Sequence, residues 1–221
     1  MKNPSMKTPS MKTPAIFLAT LLFAATAQSA DLPAEVLRIQ GEWARVNYKL
    51  PEKAREEAFK ALAGEARAAA EKLPGRAEPL IWEGIVLGSY AGAKGGLGAL
   101  GVAERARDRL LEAERIDARA LSGSAYTSLG SLHYKVPGWP IGFGDKKKAR
   151  DYLQKALALN PDGIDSNYFW ADFLKEQGEY AAAAAAYRKA LAAPARPGRE
   201  EADAGRRTEI LSGLKEAESH L

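Results

Sequence analysis

The stretch Gly178-Glu-Tyr180-Ala-Ala-Ala183-Ala-Ala-Ala-Tyr187-Arg-Lys-Ala190-Leu191-Ala-Ala-Pro194 decides the fold. Glycine opens it, proline ends it, and the residues between recur at the three- and four-residue spacing of a helix with one buried face. Ala183 and Ala190 offer small surface where a second helix can cross closely, and Tyr180 and Tyr187 fill the neighbouring gaps. Just upstream, Trp170-Ala171 places a large and a small residue together in the helix before it. From Pro33 onward the chain is helical in composition, and no stretch alternates apolar and polar residues at period two.

The ending of that stretch recurs along the chain. Ala149, Leu153, Ala156, Leu157 and Asn160-Pro161 form a second copy, and Ala106, Leu110, Ala113 and Ile116-Asp117 a third. A degenerate fourth lies at Leu62, Ala66 and Ala69 before Pro74. The matching alanines 69, 113, 156 and 190 are separated by 44, 43 and 34 residues. This glycine, aromatic, alanine, proline pattern resembles the tetratricopeptide repeat (TPR), whose period is about 34 residues. The resemblance implies stacked helical hairpins whose first helices line a concave, partner-binding face.

The surplus over that period falls between paired helices. In one copy Tyr126, Leu129-Gly130 and His133 are followed by Lys135-Val-Pro-Gly-Trp-Pro-Ile-Gly-Phe-Gly-Asp145; in the preceding copy Gly92 to Gly101 intervenes. The first-helix register there is open: Leu87-Gly88 matches Leu129-Gly130, while Gly84 keeps a more usual distance from Pro74. The expected fold is therefore all-α, a TPR-like helical-hairpin solenoid with two inter-helix insertions and a C-terminal capping helix. The expected division is 1–30 signal peptide, 31–75 degenerate hairpin, 76–195 repeats and 196–221 cap. The cap should bury Ile210, Leu211, Leu214 and Ala217 on one face.

The start of the chain carries an address. Lys2, Lys7 and Lys12 precede the apolar run from Ala15 to Ala25, and Ala25-Thr-Ala27-Gln-Ser-Ala30 supplies small residues for cleavage. This is the order of a secretory signal peptide, and the run is shorter than the ~20 residues of a spanning helix. The expectation is a periplasmic, soluble protein without a stable membrane anchor, and no cysteine exists to make it a lipoprotein. Removing the three lysines leaves 29 basic against 28 acidic residues, a net charge of +1. That balance excludes the concentrated basic face a nucleic acid requires.

Chemistry is sparse. With no cysteine and two histidines among 221 residues, thiolate sites and multi-histidine metal centres are excluded, and no cofactor, metal site or catalytic residue is predicted. His133 stands where a packing aromatic is usual. The partner-binding candidates fall in two groups. Trp139 and Phe143 lie in the second insertion, where they either fold back as a plug or meet a partner. On the first helices the resemblance implies groove positions at Tyr134, Lys135, Asp165, Tyr168 and Asp172, with Thr127, Ser131, Phe169 and Lys175 beside them. The reading is a non-catalytic scaffold for a protein or peptide partner. The alternative comes from a narrower resemblance, to the TPR component associated with TRAP solute transporters, and implies a solute-binding or docking accessory with a periplasmic solute-binding protein as partner. Mass spectrometry of the exported chain should give a mature protein of 191 to 194 residues, starting after a residue between Ala27 and Ala30.

Overall fold

The computed structural model describes residues 32–221, so the signal-peptide segment lies outside the described residues. Within them stand α1 (Ala34–Tyr48), α2 (Glu52–Lys72), α3 (Ala77–Lys94), α4 (Leu100–Asp117), α5 (Ala120–Lys135), α6 (Lys146–Leu159), α7 (Ile164–Glu176), α8 (Tyr180–Leu191) and α9 (Glu200–Glu218). Consecutive helices pack as hairpins, and the odd-numbered helices also contact one another in order, α1 to α3 to α5 to α7 to α9. This is the all-α, TPR-like helical-hairpin solenoid. Among the described residues no helix is long and apolar enough to cross a membrane.

The hairpins close on very small residues. A Cβ on Gly84 of α3 would lie 2.5 Å from Leu110 and 3.2 Å from the Ala106 carbonyl on α4. One on Gly130 of α5 would lie 2.6 Å from Leu153 and 3.3 Å from the Ala149 carbonyl on α6. Leu110 precedes Leu153, and Ala106 precedes Ala149, by the same 43 positions. Gly84 is therefore the counterpart of Gly130, which settles the register that the sequence leaves open. Ala106, Ala113, Ala149, Ala156, Ala183 and Ala190 are all fully buried. Between them sit Phe59, Leu62, Leu110, Leu153, Phe173 and Tyr187, each contributing about 1.5–3 kcal/mol by leaving water.

The two insertions differ from expectation and from each other. Most of Gly92 to Gly101 is helix: α3 continues to Lys94, a single 3-10 turn covers Leu97–Ala99, and α4 starts at Leu100. Only Gly95 and Gly96 need glycine's freedom, at φ 62° and 61°. The surplus residues therefore lengthen α3 and α4, because glycine near a helix end weakens the helix without breaking it.

The second insertion is a true loop. Its ends meet through a bridge between Gly138 and Gly144, and the Asp145 amide donates to the His133 carbonyl at 2.8 Å. The Asp145 carboxylate then caps α6, accepting from the amides of Lys147 and Lys148 at 2.9 and 3.1 Å.

Two further details escape the pattern. Leu121 and Ser122 join Gly123 in the left-handed region, at φ 48°, 55° and 79°, in a kink just inside the start of α5. On α9 the buried face is Ala202, Asp203, Arg206, Ile210, Gly213 and Ala217, whereas Leu211 is exposed and Leu214 only partly covered. The buried face is thus rotated from the expected one, because Gly213 lets α9 lie against Tyr187: a Cβ there would be 2.5 Å from that ring.

Tyr187→Ala should cost about 3–5 kcal/mol in urea denaturation, since the ring has no exposed surface. A loss below ~1 kcal/mol would remove Tyr187 from the inter-helix core.

Candidate functional site

The face of the first helices is aromatic and is covered by the chain's own C-terminal region. Trp43 of α1 meets Trp82 of α3 edge-on at 6.0 Å, and its indole N–H donates to Ser89 at 2.9 Å. Tyr168 and Phe169 of α7 add two rings. Against these lie arginines from the tail: Arg199 stands 5.2 Å over Trp82, and Arg206 stands 4.2 and 4.8 Å over Tyr168 and Phe169.

Carboxylates hold Arg206, and Arg196 beside it, whereas the buried Nε of Arg199 has no hydrogen-bond partner among the described residues. Asp165 accepts from Arg206 at 2.8 Å and from Arg196 at 2.6 Å, and Arg196 also reaches Asp203 at 2.6 Å. Glu209 accepts from Arg206 at 2.5 Å and from the Tyr48 hydroxyl at 3.2 Å, which ties α9 to α1. Burial alone would raise the Asp165 carboxyl, but Arg206 and Arg196 override it and hold the group far below the usual carboxylate range. Burial also opposes the charge of Arg206, and Asp165 and Glu209 outweigh it and raise its pKa. Desolvation pushes the Tyr168 hydroxyl up to about 12.

A second cluster joins α5 to α7. Tyr134 is buried and donates to Asp172 at 2.9 Å, while Lys135 reaches the same carboxylate at 2.8 Å and also Glu176. Tyr187 adds a longer bond to Asp172 at 3.4 Å. Burial acts to raise the Asp172 carboxyl, but Lys135 prevails and keeps it low. The structure thus brings Tyr134, Lys135 and Asp172 together in one cluster and Asp165 and Tyr168 in another. In both, the carboxylates are engaged within the chain.

The insertion separates its two aromatic residues. Phe143 folds inward: it meets the His133 ring edge-on at 5.5 Å and carries Arg107 at 4.6 Å. His133 is itself buried and stacked on Tyr152 at 5.7 Å; burial and the nearby Lys148 lower its pKa, so it is neutral at pH 7. Trp139 points outward with 90% of its surface exposed, and Ile141 follows at 58%. Plug and exposed rim coexist, one residue each.

Sequence reading missed Arg196, Arg199, Arg206 and Asp203. A signal was present: Arg199 and Arg206 are seven apart, in step with the buried Ala202 and Ile210.

Comparison with known proteins fits the C-terminal repeats. The tetratricopeptide repeat family matches residues 141–162 and 164–195, which span α6, α7 and α8. No curated protein matches the chain. Similar solved structures include MamA, which shares 22% identity, covering 76% of this chain and 92% of its own, with a TM-score of 0.43. They also include a thermophilic TPR protein of Thermus thermophilus, which shares 19%, covering 82% of this chain and all of its own length, also at 0.43.

Asp165→Asn should lower stability at neutral pH by about 2–3 kcal/mol, because the buried Arg206 and the part-exposed Arg196 lose their shared partner. A carboxyl depressed on folding stabilises above its unfolded pKa, and that stability is lost as pH falls through the folded value. The gap between wild type and variant should therefore be constant at neutral pH and narrow below about pH 4. Urea denaturation across pH 2.5 to 7, roughly bracketing that range, is the check.

Proposed function

We propose that this chain is an exported, non-catalytic protein-interaction scaffold that meets its partner at the α5–α6 loop rather than in the face of its first helices. One observation carries the reading. Trp139 is the most exposed of the large apolar side chains among the described residues, and it stands on a loop fixed by backbone hydrogen bonds. An ordered aromatic at a rim loses little entropy on contact and brings a large apolar area, as binding hot spots do. The repeat supports the scaffold class, and the signal-like leader supports export.

Binding of a solute within the first-helix face is less favoured. Trp82, Tyr168 and Phe169 there are already covered by Arg199 and Arg206, so a solute would first have to displace α9.

Trp139→Ala should leave the unfolding free energy within about 0.5 kcal/mol, as for an exposed position, while weakening capture of the partner from a periplasmic extract. Unchanged capture, or a large fall in melting temperature, would overturn the assignment of Trp139 to the interface.

A further inference from the structure

We propose that the loop rim takes an acidic polypeptide, seating an apolar anchor on Trp139 and Ile141 and pairing its carboxylates with Lys146, Lys147 and Lys148. The proposal rests on the reading of the loop as the partner contact and adds the partner's chemistry.

The lysines are in an unfavourable place. They fill the first turn of α6, which holds no acidic residue. A positive charge at this end of a helix costs about 0.3–1 kcal/mol, and neighbouring like charges add to it. All three are exposed, and none forms an ion pair among the described residues, although Arg150 one turn later pairs with Glu179. The nearest carboxylate, Asp145, already accepts from the amides of Lys147 and Lys148. Asp151 lies a turn further on and is also exposed, while Arg107 from α4, behind Phe143, is already paired with Asp108 at 2.8 Å. The bridge between Gly138 and Gly144 brings Trp139 and Lys146 to the same loop base, each within two residues of it. Cationic and apolar surface therefore adjoin, and an acidic partner would relieve repulsion among the lysines beyond what Asp145 gives Lys148.

A polypeptide fits better than an anionic bilayer. Lipid-binding basic segments carry about 4–8 Lys or Arg, and here the run is three in a chain of nearly balanced charge.

The test uses the full chain and labelled peptides followed by fluorescence anisotropy. One peptide sets a Leu-Phe pair among glutamates and aspartates, a second replaces the acids with lysine, and a third replaces Leu-Phe with alanine. The acidic Leu-Phe peptide should bind best and weaken with salt. Its binding should fall about tenfold or more in Trp139→Ala and in the triple Lys146→Glu, Lys147→Glu, Lys148→Glu variant.

The triple variant should melt at the same temperature or higher, since acids suit this helix end. Binding lost while stability holds or rises is not what a damaged fold gives, and a triple Lys→Gln variant provides the neutral control. Equal binding of the lysine peptide, or undiminished binding by the triple variant, overturns the proposal. So does tighter binding to phosphatidylglycerol vesicles, with a blue shift of Trp139 emission, than to any peptide. If Trp139→Ala loses the extract partner while the triple variant keeps it, the acidic partner is refuted and the scaffold reading stands. If neither variant loses it, both are refuted.

Discussion

Two of the hairpins in this chain close where one helix gives up its side chain to the other. Gly84 and Gly130 do so, leaving the space that Leu110 and Leu153 occupy within 2.6 Å of where a Cβ would be. The backbones then approach until the carbonyls of Ala106 and Ala149 stand just over 3 Å from the same points. Dispersion between such closely packed surfaces is small per atom pair but adds up along each hairpin. The stack inherits its order from this fit. The fully buried alanines Ala113, Ala156 and Ala190 extend the close contact along the second helices, so consecutive hairpins repeat one geometry.

Such a stack leaves an apolar face at its last repeat, and α9 covers it in an unusual way. A capping helix needs one apolar stripe, yet this one also carries Asp203 and Arg206 into burial. Buried charges are tolerated only when paired and hydrogen-bonded. Asp165, Asp203 and Glu209 meet Arg196 and Arg206, and the guanidinium of Arg206 lies over an aromatic ring, where cations are attracted to the π face. The result is specific in a way a greasy contact is not: a slip of α9 by one turn would strand several charges together. Glu209 carries the network across to Tyr48, so the last helix is tied to the first.

How much of this could be read in advance varied with the kind of signal. The buried alanines were legible because their spacing is a period, and a period survives substitutions at other positions. The register of α3 was not, since Gly84 and Gly88 are identical letters and only the facing Leu110 distinguishes them. Gly92 to Gly101 misled because glycine lowers helix propensity without forbidding helix, and the neighbouring helices held the backbone in place. The turn at Leu121 and Ser122 was illegible for the opposite reason: neither residue favours a positive φ, and the packing imposes it. The occupied face of the first helices was concealed by charge. Polar letters at Asp165 and Asp172 read as solvent-facing, and their partners lie up to 41 positions away in the chain.

The occupation of that face bears on where recognition can occur. A partner entering between the first helices would have to compete with an intramolecular segment whose effective concentration is high and whose charges are already paired. At the α5–α6 loop no such competitor stands among the described residues. Its fold is secured by the Gly138–Gly144 bridge, by the Asp145 cap and by Phe143 on His133, none of which involves Trp139. The lysine run likewise makes no ion pair among the described residues and opposes the helix dipole, although the charge of Lys148 helps to hold the Asp145 carboxyl low. The exposed Trp139 and the unpaired lysines therefore stand together at the base of one loop, on surface that the fold itself leaves open.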